Sequence, residues 1–209
     1  MKLFISAIFI LCFIVFIGCD KKKKGSEPVP AIVIRKDTAQ LKKEIAPARS
    51  PIINIVDSFI PKSTILYIKD SAATSERISF KLGAIFGSKF NKTIKDNKIS
   101  IIGPPMVWYK SSNAPFYFEA GYPVNKKPLK PAKKILTKSI GGTHAVVAHF
   151  YGHYSSTYVG YEVLAEWLKE RKKKRSGQPY EIYVTDPFDK NSLPADPYKV
   201  RTDIVFPYK

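Results

Sequence analysis

Thiols are almost missing from this chain. It has two cysteines in 209 residues, Cys12 and Cys19, both near the start. Nothing downstream can therefore rest on a disulfide framework or a thiol nucleophile. Acids are also scarce, with 17 Asp and Glu against 35 Lys and Arg and a formal charge of +18. The three histidines, His144, His149 and His153, lie close together. His144 and His149 differ by five along one strand and so point to opposite faces, and a glycine turn separates His149 from His153. No cysteine pair or HExxH pattern accompanies them, so neither a metal nor a cofactor is expected. Long apolar runs are missing too, with one exception.

The exception is Leu3 to Ile17, which follows a single cation, Lys2. A charged start and a short apolar stretch are the marks of an export signal. The run is shorter than the ~20 residues that span a bilayer, although an uncleaved anchor is the alternative. Its end, Phe16-Ile17-Gly18-Cys19, resembles a bacterial lipobox. That resemblance makes 1–18 a signal peptide and Cys19 a lipidated N-terminus carrying palmitate-type chains, a firm anchor because each buried CH₂ contributes ~0.8 kcal/mol. The expected location is the cell envelope, on the inner or outer membrane and facing the periplasm. Lys21 to Lys24 would add attraction to anionic headgroups. Export also argues against a nucleic-acid partner despite the charge. The rest of 19–61 carries five prolines, mixed charge and few aromatics, and reads as a tether.

Residues 62–209 are the right length for one domain. They read as one pattern used twice, over about 63–125 and 141–209. Ser63–Lys69 alternates as a strand, and Ser75–Asn91 has apolar residues at helical spacing (Ile78, Leu82, Ile85, Phe86, Phe90). Two strands follow, Pro105–Lys110 and Pro115–Val124. In the second half the strand is Ala145–Phe150, the helix about Ser156–Lys173, and the later strands Tyr180–Thr185 and Val200–Pro207. The fold class is therefore α+β: tandem βαββ repeats with pseudo-twofold symmetry, an antiparallel sheet, and two helices on one face. The other face is left without helical cover, and exposed aromatic surface there reads as a binding site.

The order Gly152-His-Tyr154, Trp167-Leu168, Gly177-Gln-Pro-Tyr-Glu181-Ile-Tyr183-Val-Thr-Asp186-Pro187 and Arg201-Thr-Asp203-Ile204 resembles the GyrI-like effector-binding domain of AraC-type and MerR-type regulators. The first half agrees at Gly103-Pro-Pro and Phe118-Glu119-Ala-Gly121-Tyr-Pro123-Val124, so the resemblance covers about Ile65–Tyr208. It implies a central aromatic pocket, often with a buried acid, that takes lipophilic and frequently cationic small molecules. Some members resemble hydrolases of cyclopropane-containing toxins. Here the last-strand acid is Asp203 where the family usually has Glu, and a lipid anchor stands in place of a DNA-binding domain.

Alternation puts Glu181 and Tyr183 on one face of their strand, with Tyr180, Ile182 and Val184 on the other as core beneath the helices. Tyr117 shares a face with Glu119, and Asp203 with Val205. Trp108, Tyr109, Tyr151 and Tyr154 are further candidates for the pocket wall, whereas Tyr161 and Trp167 read as helix core. An acid among aromatic rings suits a cationic or donor-bearing ligand, since the rings add cation–π attraction of ~0.5–2 kcal/mol. The expected ligand site is thus Glu119, Tyr109, Trp108, Tyr117, Tyr151, Tyr154, Glu181, Tyr183 and Asp203. Binding without chemistry is the first reading. The alternative is a hydrolase of electrophilic, cyclopropanoid-type molecules, with Glu181 or Glu119 as base and a tyrosine such as Tyr183 as acid. A third reading is a partner-binding envelope protein whose pocket is vestigial, with a partner the sequence does not name.

Overall fold

The computed structural model describes residues 49–209. The expected signal peptide, Cys19 and the lysine run lie outside the described residues. Eight antiparallel strands form one sheet: β1 Ile52–Ile60, β2 Ser63–Ala72, β3 Met106–Tyr109, β4 Phe116–Val124, β5 Leu136–Ile140, β6 Thr143–Tyr151, β7 Tyr180–Tyr183 and β8 Arg201–Tyr208. Their order is β1-β6-β8-β7-β3-β4-β2-β5. The first repeat supplies β2-β4-β3 and the second β6-β8-β7. They join where Met106 pairs with Ile182 and Val107 with Glu181. The expected tandem arrangement is present.

Two strands lie outside that repeat. β1 falls in the stretch expected to be tether, yet it pairs along its length with β6, from Ile52 opposite Tyr151 to Ile60 opposite Thr143. The tether reading therefore fails for 52–60, since an apolar strand is stable once an edge accepts its backbone hydrogen bonds. β5 pairs with β2 at the opposite end of the sheet. Each added strand thus pairs with the repeat that does not follow it in sequence.

That exchange forces the sheet to curl. Only Pro61 and Lys62 connect β1 to β2, although these strands lie toward opposite ends of the order. Three peptide steps reach at most about 11 Å. The two ends must therefore meet at this corner, where Gly142 N–H donates to the Ile60 carbonyl at 2.7 Å. Gly141 adopts φ +79°, and a Cβ there would lie 2.1 Å from the Pro61 carbonyl oxygen. Gly141→Ala should destabilise the domain by about 2–4 kcal/mol through left-handed strain and overlap, read as a lower urea midpoint.

Three cores result. One lies under α1 (Ser75–Ala84) and α2 (Asn91–Asn97), with Leu82, Phe90, Val107 and Phe118 at its centre. Thr74 caps α1 by accepting from the Arg77 N–H. A π turn over Ile85–Lys89 links the two helices. Its wider step sets Ile85 and Phe90, five residues apart, both into the core. A second core lies under α3 (Thr157–Glu170), where Leu164 and Leu168 meet Phe150 and Ile204. Gly160 allows this close approach, because a Cβ there would lie 2.5 Å from Ile204 Cδ1. The third core fills the inside of the curl, on the face without helices, from Ile65, Tyr67, Met106, Trp108, Val147, Tyr180 and Val205.

Candidate functional site

The curl decides which face can hold a site. Tyr180, expected beneath the helices, is buried inside the curl with Ile182 against it. Glu181 and Tyr183 consequently point the other way, into the seam between the two helices. The helix-free face is not the open one, because β1 and β5 fold it onto itself.

Glu181 is only 2% exposed. Tyr154 O–H donates to its Oε2 at 2.8 Å, and Tyr161 O–H donates to its Oε1 at 3.0 Å. The Tyr109 hydroxyl lies 2.6 Å from that of Tyr154 and 2.9 Å from that of Tyr183, and the last two are 3.1 Å apart. Each repeat contributes: Tyr109 from β3, Glu181 and Tyr183 from β7, Tyr154 from a 3₁₀ turn before α3, and Tyr161 from α3 itself. Phe86, on the π turn, closes the first-repeat side with its ring 6.4 Å from that of Tyr183. Gln178 donates to the Tyr109 carbonyl at 2.6 Å, tying β3 to the loop before β7. Tyr154 is 47% exposed, but its hydroxyl points inward, so its ring forms the outer wall.

The electrostatics are unusual for a buried acid. Burial raises the Glu181 pKa, and the tyrosine hydrogen bonds only partly oppose that rise. Burial, and next the charge of Glu181, raise the Tyr109, Tyr154, Tyr161 and Tyr183 phenols, which therefore stay neutral. Among the described residues, Glu181 has no salt-bridge partner. It is a carboxyl held by neutral hydroxyls alone.

The other predicted acids are different. Glu119 lies on the curled-in face, 2.8 Å from Lys138, 3.4 Å from Lys110 and 3.9 Å from Lys69. Its burial acts to raise its pKa, but the hydrogen bond and charge of Lys138, with Lys110, hold it below the ordinary value. Burial pushes Lys138 down to about 8, against the pull of Glu119. Lys138 sits 3.2 Å from the centre of the Trp108 ring, so Trp108 belongs to this second cluster. Asp203 is 2.7 Å from His149 Nδ1 and accepts twice from Arg201, at 2.7 and 2.8 Å. Tyr151 shares a strand face with His149. Tyr117 is 54% exposed.

Of the nine residues expected to line one site, the structure brings together Tyr109, Tyr154, Glu181 and Tyr183. It places Trp108, Tyr117, Glu119, Tyr151 and Asp203 on the opposite face. Trp108 and Tyr109 are neighbours in β3, so they could never share a face. Tyr161, expected as helix core, joins the cluster. It reaches Glu181 from the first turns of α3, and nothing in its local sequence distinguishes it from a core position.

No protein-family model matches the chain, and no curated protein matches it by sequence. Solved structures do match by fold. The EcmrR C-terminal domain aligns with a TM-score of 0.57 at 17% identity, covering 77% of this chain and 99% of that one. EcmrR in a complex with DNA aligns at 0.59 and 17% identity, covering 76% of this chain and 57% of EcmrR. The chain has the GyrI-like fold. A hydrolase from Listeria innocua aligns at 0.50 and 12% identity, covering 81% and 97%. In this GyrI-like fold the acid at the repeat junction, Glu181, has no basic partner among the described residues.

Proposed function

We propose that this protein is an envelope protein, anchored through lipid on Cys19, whose GyrI-like domain captures a lipophilic small molecule against Glu181 and its tyrosines. One observation carries the reading. Glu119 and Asp203 are buried acids with basic partners, whereas Glu181 is more deeply buried and has none among the described residues. An acid held for stability alone is normally paired, because an unpaired buried charge is costly. An acid held by hydroxyls keeps an acceptor for a donor-bearing or cationic group on a ligand, and the surrounding rings supply apolar area. The resemblance to GyrI-like effector-binding domains, which implies a pocket for lipophilic small molecules, supports the same reading.

A thermal-shift screen of aromatic amines tests the proposal. A hit should raise the melting temperature of the wild type, and Glu181→Gln should weaken that hit at least about tenfold, the effect of losing a charge-assisted hydrogen bond. Hits that ignore the substitution would count against the site. Lipidation is tested by radiolabelled palmitate, which should be lost in Cys19→Ser.

The raised pKa of Glu181 also favours hydrolysis as a second reading, with Glu181 as the base that activates water and Tyr183 or Tyr154 as the acid. Turnover of a cyclopropanoid electrophile, abolished in Glu181→Gln, would move the domain from binder to enzyme.

A further inference from the structure

A groove of about 510 Å³ runs beside α3, with Tyr161 at one end and Lys169, Lys173 and Arg175 at the other. Tyr161 is the link to the site, because its hydroxyl holds Glu181 Oε1 at 3.0 Å. Between the ends the wall is apolar, formed by Ala165, Leu168 and Phe206. The volume suits a ligand of a few rings.

The far end of the groove is basic. Arg175 stacks over the Phe206 ring at 5.8 Å, and Lys173 over the Tyr208 ring at 5.3 Å. Neither is paired with an acid among the described residues. Lys169 is partly occupied by Glu166 at 3.3 Å, and Glu162 is the one acid on the groove. The chain as a whole carries +18. A field of that sign attracts anions and repels cations before any contact is made. A simple lipophilic cation fits the inner end of this groove and is opposed at the outer end.

We infer that the ligand is an amphiphile with an anionic end: its acidic group lies against Lys173 and Arg175, its apolar body along Ala165 and Phe206, and its inner end against Tyr161, the member of the Glu181–tyrosine cluster that lines the groove. This inference rests on the small-molecule reading of that cluster and adds the charge class of the molecule. A donor group at the inner end and an acid at the outer end would satisfy both ends at once.

The test uses the full chain in phosphatidylcholine nanodiscs, with empty discs as blank, and three probes of one aromatic body. These are naphthalene-2-sulfonate, 2-naphthylmethanol and 2-naphthylmethylamine, titrated by calorimetry. The sulfonate should bind about tenfold more tightly than the amine at low salt, and the gap should shrink as salt is added. Charge reversal in Lys173→Glu/Arg175→Glu should invert the order while leaving the neutral alcohol unchanged. If that variant misfolds, shown by loss of alcohol binding, Lys173→Gln/Arg175→Gln should still abolish the preference. Equal binding of sulfonate and amine to the wild type, or a preference that survives both variants, overturns the inference. Glu181→Gln separates the two claims. If it leaves every probe unaffected while the sulfonate preference persists, the basic groove stands and the reading of Glu181 fails.

Discussion

Glu181→Gln should make the domain more stable at neutral pH while removing its ligand binding. A glutamine has the shape of the glutamate and can keep both tyrosine hydrogen bonds, one by accepting and one by donating. What it loses is a charge that burial disfavours. The expected gain is about 0.5–2 kcal/mol, the range seen when a functional strain is relieved. The sign with pH follows from linkage. The folded pKa of Glu181 is raised above its unfolded value, so its contribution to stability is fully present below the unfolded pKa and is lost as pH rises through the folded one. Urea unfolding of the wild type should show that loss on going from acid toward neutral pH, and the variant should lack it. A variant less stable than wild type at pH 7 would mean that the carboxylate is structural.

Removing β1 should cost as much as Gly141→Ala or more. A chain begun at Lys62, the domain start that composition suggests, should be at least ~3 kcal/mol less stable than one begun at Pro47, or should fail to fold. The deletion strips the backbone partners of β6 from Thr143 to Tyr151. It also uncovers the apolar residues that Ile53 and Ile60 help to cover, and each exposed CH₂ and unmade hydrogen bond is felt. Comparing the urea midpoints of the two chains checks it. Equal midpoints would show that β1 is an ornament on the edge and that the curl does not depend on it.

These two expectations also mark how far the sequence could be read. The six repeat strands and the main helices were legible, because alternation and helical spacing are local properties of Ser63–Lys69, Ile78–Phe90 or Tyr180–Tyr183. β1 was not, because Ile52–Ile60 sits between Pro51 and Pro61 and carries Asn54, Asp57 and Ser58. Nothing local shows that β6 offers it an edge. β5, from Leu136 to Ile140, was missed for the same reason. The side of the sheet that stays open depends on those two strands, so alternation alone could not tell that Glu181 and Tyr183 share the face of the helices. Strand alternation and the family resemblance single out Glu181 and Tyr183, and residue type singles out Tyr109 and Tyr154. Glu119 and Asp203 looked equivalent to Glu181 in sequence. They differ in having Lys138 and Arg201 beside them; Arg201 stands two residues before Asp203 on the same strand face, whereas Lys138 reaches Glu119 from β5, a strand the sequence did not show.

The most direct measurement follows the twelve tyrosines by ¹³C-labelled NMR while a bound amphiphile is titrated in. If the site lies at the junction of the repeats on the helix face, the signals of Tyr109, Tyr154, Tyr161 and Tyr183 should shift together and saturate with one affinity. Tyr67 and Tyr180, inside the curl, should stay still. Movement of Tyr67 and Tyr180 with a silent Glu181 cluster would place the ligand on the opposite face and contradict the account.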